Sequence, residues 1–169
     1  FSYTVTPDPD TGVDASISGF QIREITLAAG ATVSPGTDLG GDMTGEGLDS
    51  AGEVGILNTN DLSLNDSSGV AVNLEGLDPG TGYDQVSVTG TVNLSGATLS
   101  TSRLGSFVPD VGEEFIIISN DDTDAVVGTF NGLAEGDVVT IDRMLFEISY
   151  EGGDDNDVTL TVLPPPEVY

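Results

Sequence analysis

The sequence has no cysteine, no histidine, no tryptophan and no lysine, and its three basic residues are Arg23, Arg103 and Arg143. Each absence excludes a chemistry. Without cysteine there is no disulfide framework, no cysteine-based zinc site and no thiol reaction. Without histidine, Ser-His-Asp and Cys-His catalysis are unavailable. Without lysine there is no Schiff base, no phosphate-loop lysine and no Lys–Asn isopeptide staple. Three scattered arginines cannot neutralise a run of phosphates, so nucleic acid is excluded as a partner. An anionic membrane surface repels such a chain for the same reason. No apolar run reaches the length of about 18 residues that a transmembrane helix requires, so membrane insertion by a helix is not expected.

What is present is acid. Twenty-nine aspartates and glutamates against three arginines give a formal charge of −26 over 169 residues. Acidity of this degree reads as disorder when apolar residues are few. Here 37% of residues are hydrophobic and the mean hydropathy is +0.05. The chain therefore reads as one folded domain with an acidic surface, whose self-repulsion is offset by salt or bound cations.

The apolar residues alternate at period two, and Gly, Asn, Asp and Ser bound each run. No stretch carries an apolar stripe at helical spacing. Phe1 to Thr6 is strand-like and meets the turn Pro7-Asp8-Pro9-Asp10. Phe20 to Leu27 follows, where the step from Ile22 to Ile25 breaks alternation and predicts a bulge or bend. Ala28 to Leu57 reads as loops and short strands. The middle is regular: Leu62/Leu64, Val70/Val72/Leu74, Val86/Val88, Val92/Leu94 and Ala97/Leu99. Faces this narrow cannot be buried alone, so successive strands must stack. The continuous run Phe115 to Ile118 suits a strand covered on both faces. Ala125 to Phe130 comes next. Met144, Phe146, Ile148 and Tyr150 alternate into the turn Gly152-Gly153-Asp154-Asp155-Asn156 and out through Val158, Leu160 and Val162, the clearest hairpin signal in the chain. Pro164-Pro165-Pro166 cannot join a ladder and ends the fold.

The stretch from Tyr83 to Leu99 resembles a recurring segment of large bacterial surface proteins, the autotransporter-like passenger and adhesin repeats. Phe115 to Asn120, Val127 to Phe130, Phe146 to Tyr150 and Gly152 to Leu160 are similar to the segments that follow it. Ala31 to Gly36 and Gly55 to Thr59 fit the approach to it. The resemblance covers roughly the last two thirds of the chain. It implies a parallel β-helix (β-solenoid) with a C-terminal antiparallel β cap, an exported, surface-exposed protein, and no catalytic residues. The chain is far shorter than such proteins and shows no outer-membrane barrel, which points to a self-assembling subunit or a released fragment.

The expected fold is therefore all-β. Residues 1–10 are an N-terminal strand and Pro-Asp linker. Residues 11–163 are a single β domain, with solenoid-like rungs over 11–100 and a C-terminal cap over 101–163. Residues 164–169 are a Pro-rich tail. The competing architecture is a jelly-roll β-sandwich, which the C-terminal hairpin also suits.

Clustered carboxylates on Gly-containing turns are the constellation with chemical content, because calcium takes six to eight oxygen ligands. Asp8 and Asp10 form one such pair; Asp121, Asp122 and Asp124 form a cluster; Asp154, Asp155 and Asp157 form the strongest candidate. The last stretch is a degenerate copy of a calcium-binding nonapeptide, with Asp155 where the third Gly stands. The competing reading is solvated turn residues favouring Asx turns and αL geometry. Calcium is the one cofactor these residues suggest. Paired carboxylates could hydrolyse glycosides, but among 29 acids close pairs arise by accident, and the chain does not read as an enzyme. Asn65 heads one glycosylation sequon and is the better candidate, because the sequon at Asn93 lies in a predicted strand. Each arginine is expected to pair with carboxylates, within the subunit or across an interface. Phe1, Tyr3 and Val5 could enter a neighbouring subunit as a donated strand or pair within their own domain.

Two functions fit. One is an extracellular structural subunit that polymerises into a surface filament or sheath as a homo-polymer. The other is a calcium-dependent adhesin module binding a glycan or another cell surface.

Overall fold

A computed structural model describes residues 3–5, 22–27, 30–36, 54–121 and 123–166. The described residues are all-β, with strands in two sheets and no helix. The long sheet runs in the spatial order β1 (Tyr3–Val5), β2 (Ile22–Leu27), β4 (Ile56–Ser63), β6 (Gln85–Val88), β9 (Glu114–Asn120), β12 (Asp157–Val162), β11 (Met144–Gly152) and β10 (Val138–Ile141). A short strand, β7 (Val92–Asn93), pairs with the second half of β4. The second sheet is β3 (Thr32–Val33), β5 (Gly69–Leu74) and β8 (Thr98–Arg103).

Pairing is parallel from β1 to β9 and throughout the short sheet, then antiparallel from β9 to β10. The parallel registers step by 22 to 37 residues, the smallest step being that from Tyr3 to Ile25. In the long sheet Ile22 aligns with Thr59, Ile56 with Gln85 and Val86 with Ile118, which are steps of 37, 29 and 32 residues. In the short sheet Thr32 aligns with Gly69 and Gly69 with Thr98, again 37 and then 29. The parallel strands of each sheet thus lie beside one another in chain order. The connecting segments keep this register, since Leu62 N–H donates to Thr91 O and Thr98 N–H to Ser68 O, both at 2.9 Å.

The period-two residues of the sequence become columns in the core. Leu57, Val86 and Ile118 stack across β4, β6 and β9, and all three are buried. Between Thr59 and Leu62 the inward phase of β4 shifts, which bends the strand at Asn60–Asp61. Ile22 and Ile25 stand in register with those two residues. The next circuit carries one extra residue there, since Val88 aligns with Thr59 but Val92 with Leu62. Gly90 absorbs it: a Cβ at this position would lie 2.6 Å from Asn60 O and 2.5 Å from Asp61 Oδ1.

The C-terminal strands of the long sheet pair antiparallel. Phe115 on β9 is fully buried, meets Tyr83 and Phe107 edge-on at centroid distances of 5.3 and 6.2 Å, and lies 6.2 Å from Phe146 of β11. This ring ties the parallel part of the long sheet to the antiparallel part. The segment Ala125–Phe130 forms no strand; it joins the Val92–Gly96 segment through a parallel bridge between Asn93 and Val127 and through the Gly96 N–H, which donates to Thr129 O at 3.1 Å. β10 enters β11 through the two-residue turn Asp142–Arg143, whose φ values of 46° and 73° define the type I′ geometry that matches strand twist. Pro164, Pro165 and Pro166 are exposed and outside any ladder.

Phe115→Ala removes the ring common to three aromatic contacts and should lower unfolding free energy by about 3–5 kcal/mol. Denaturant titration measures this, and a loss below about 1 kcal/mol would show that the two parts of the long sheet do not depend on that ring.

Candidate functional site

The antiparallel pairing of β9 with β12 sets the end of one strand beside the start of the other, with Ile118 opposite Val158. The turn after β9 and the turn between β11 and β12 therefore adjoin, and these are the two Asp-rich segments. Asp157 Oδ1 accepts the Asn120 N–H at 2.8 Å, and Asn120 Nδ2 donates to Asp124 O at 2.6 Å. Asn156 Nδ2 donates to both Asp121 O and Asp124 O at 3.2 Å. Side chains from one turn thus hold the backbone of the other.

The six candidate ligands separate within this cluster. Asp157 is 5% exposed; burial pushes its carboxyl up, the Asn120 N–H opposes the rise, and the neighbouring Asp154 charge adds to it. Asp154, Asp155 and Asp124 face solvent, and Asp121 is half-buried. Asp122, like Asp8, Asp10 and Phe1, lies outside the described residues. Asp155 adopts the αL conformation, at φ 83°. Asn120 Oδ1 and Thr159 Oγ1 are buried oxygens without a hydrogen-bond partner. Against calcium, the Asp121 and Asp124 carbonyls already accept amide N–H groups, and no group of three or more carboxylates able to hold a metal converges among the described residues.

Beside the joined turns lies an open cleft of about 320 Å³ lined by Val126, Thr129, Glu135, Tyr150, Glu151 and Asp155, among others. Its floor is fixed, because Glu135 Oε2 accepts the Tyr150 N–H at 2.6 Å while Tyr150 Oη accepts from Phe130 N–H and donates to Leu133 O. Burial raises the Tyr150 hydroxyl above its usual range, so it remains a donor at neutral pH. Three carboxylates around one wall favour a cationic or neutral polar visitor over an anion.

The remaining candidates are dispersed. Asn65 is half-buried at the turn before β5, where its Oδ1 accepts the Ser67 N–H at 2.9 Å. Tyr3 and Val5 lie in β1, which pairs with β2 of the same chain. Arg103 follows its expectation: its guanidinium donates to Phe107 O at 2.5 Å and its Nε stands 3.8 Å from Asp142 Oδ2. Arg143 is exposed, and the side chain of Arg23 lies outside the described residues.

Sequence reasoning missed Asp84. It is completely buried at the entry to β6, with Oδ1 accepting the Gly55 N–H and Oδ2 the Asn73 N–H, both at 2.8 Å. Its own N–H donates to Asn73 O. This one carboxyl joins the start of β4, the far part of β5 and the start of β6. Burial pushes it up to about 7, against the pull of its two N–H donors and with a further push from the Glu75 charge. The available signal was an acid immediately before a β-run, Asp84-Gln85-Val86, in a segment where acids elsewhere sit in turns.

Comparison with protein-family models, with curated proteins and with solved structures finds no match to this chain.

A carboxyl raised from its ordinary 3.8 to about 7 in the folded state contributes stability that is complete below about pH 4 and lost as pH rises through 7. The raised Asp157 acts in the same direction. The melting temperature should therefore fall between pH 4.5 and 7.5, with a slope from Asp84 of at most about 1.4 kcal/mol per pH unit. Asp84→Asn should lower stability by about 1–3 kcal/mol, because one backbone N–H loses its acceptor, and should flatten the pH dependence. Parallel pH profiles for the two proteins would show that Asp84 does not carry it.

Proposed function

We propose that this protein is a secreted, non-catalytic structural protein of a cell surface: a β-solenoid closed at its C-terminal end by an antiparallel cap, which self-assembles into a filament or sheath. The repeated register carries the reading. Both sheets advance by 37 and then 29 residues per circuit, which supports a solenoid over a jelly roll, whose neighbouring strands run antiparallel. The long sheet has a free edge at each end among the described residues, β1 and β10. A sheet open at both ends is a template for adding further chains. The charge of −26 keeps such assemblies soluble and makes them depend on salt or cations.

A calcium-dependent adhesive module is the second reading. It is favoured by the contact between the two Asp-rich turns and by the acidic cleft beside them.

Negative-stain electron microscopy of the purified chain, in calcium and in chelator, separates the two. The structural reading expects filaments in calcium, and their persistence in chelator would free assembly from the Asp turns. Discrete particles under both conditions would overturn it and direct attention to glycan binding.

A further inference from the structure

β10 is an edge strand: β11 pairs with one side of it, and no described strand pairs with the other. The Ile148 N–H donates to Asp137 O at 2.9 Å, and the alternation of an antiparallel ladder then turns the backbone groups of Val138 and Thr140 outward. Natural sheet edges are usually guarded by charge or proline. In a chain carrying 29 acids, this edge reads Val-Val-Thr-Ile and bears none. Val138 is 50% exposed, whereas Ile141 is buried in the core.

Charge is confined to the two ends of the strand and differs in sign between them. Glu135 and Asp137 precede it and are exposed. At the far end Asp142 lies beside Arg103, and Arg143 next to it is exposed and forms no ion pair among the described residues. The acidic end and the basic end of β10 are thus complementary to each other, and only a second copy running in the opposite direction presents both at once.

We propose that β10 pairs antiparallel with β10 of a second copy about a two-fold axis, setting Asp137 of each chain near Arg143 of the other. The proposal rests on the self-assembly reading and names one of its contacts. The interface is isologous, so it closes a dimer; growth beyond the dimer uses a different surface, for which the β1 edge is available. Two bodies of −26 repel, so pairing needs ionic strength at which the Debye length is about 8 Å, near 0.15 M.

Sedimentation of the wild-type chain at about 0.15 M salt should show dimers or larger species. Arg143→Glu, which changes an exposed residue without altering the turn class, should weaken association by about tenfold or more. Thr140→Pro removes an outward N–H and should abolish pairing through this edge. Circular dichroism and melting curves establish that each variant is folded; should Thr140→Pro not fold, Arg143→Glu decides alone. Wild-type protein that stays monomeric overturns both the contact and the self-assembly reading. Wild-type protein that assembles, with folded variants assembling at the same concentration, overturns the β10 contact alone and leaves self-assembly by another surface.

Discussion

The constraint on which the rest depends is register. A strand that pairs in parallel with its successor needs a long connection between them, and here that connection is used to build a second sheet. The steps agree in both sheets, 37 then 29 residues, so an insertion in one must be absorbed before the other. The extra residue between Val88 and Val92 is taken up at Gly90, against the Asn60 carbonyl. A slip of a single residue would turn every inward Val and Leu of a strand to solvent. The columns Leu57–Val86–Ile118 and Leu62–Val92 are therefore both the core and the ruler that positions the turns.

The second constraint is the scarcity of cations. A protein with ordinary basic content can pair its structural acids with Lys or Arg; this one pairs them with its own backbone. Asp84 holds two N–H groups and Asp157 holds that of Asn120. Asp61 accepts the N–H and the hydroxyl of Thr91 in the following circuit, and the N–H first, with Asn60 after it, lowers its carboxyl. Backbone donors have fixed directions, so they clamp neighbouring circuits more tightly than a flexible ammonium group would. They carry no net charge, however, so burial is not compensated, and Asp84 and Asp157 are raised although each accepts a backbone hydrogen bond. The same economy leaves the exposed acids uncompensated and ties the molecule to its ionic surroundings.

These two constraints explain what could be read in the sequence. β5, β6, β11 and β12 were legible because each presents apolar residues at period two, and β9 because Phe115 to Ile118 is a continuous apolar run; all five lie where those patterns place them. The three-residue step from Ile22 to Ile25 stands in register with Thr59 and Leu62, where the inward phase of β4 shifts. β10 was not legible: Val138 to Ile141 is four residues long and follows a Gly-rich segment, and its turn is Asp142–Arg143 instead of the Asn-Gly or Asp-Gly that announces a type I′ hairpin. Ala125 to Phe130 has strand-like composition, yet it makes a single isolated bridge at Val127 and scattered backbone hydrogen bonds instead of a ladder, which composition does not record. The two Asp clusters were each visible as turns. Their contact depends on the pairing of β9 with β12 across a separation of more than thirty residues, which no local pattern encodes.

How the stack ends follows from the same columns. In the short sheet, the inward positions Val70, Val72 and Leu74 of β5 are in register with Leu99, Thr101 and Arg103 of β8. The first three are fully buried, and the second three are only half-buried. Apolar side chains thus give way to polar ones along two of these three columns, and a further strand on β8 would have to bury a hydroxyl and a guanidinium. Arg103 instead turns to Phe107 O and Asp142, which fastens the β10–β11 turn beside the last parallel strand. In the long sheet, the change from parallel to antiparallel pairing at β9 does the corresponding job: β12 and β11 return along the sheet and bring Phe146 onto Phe115. The two sheets therefore end differently, one by chemistry and one by topology. The topological ending does not remove the edge; it transfers it to β10, a short strand without charge, and that is where the molecule's remaining capacity for pairing is concentrated at this end.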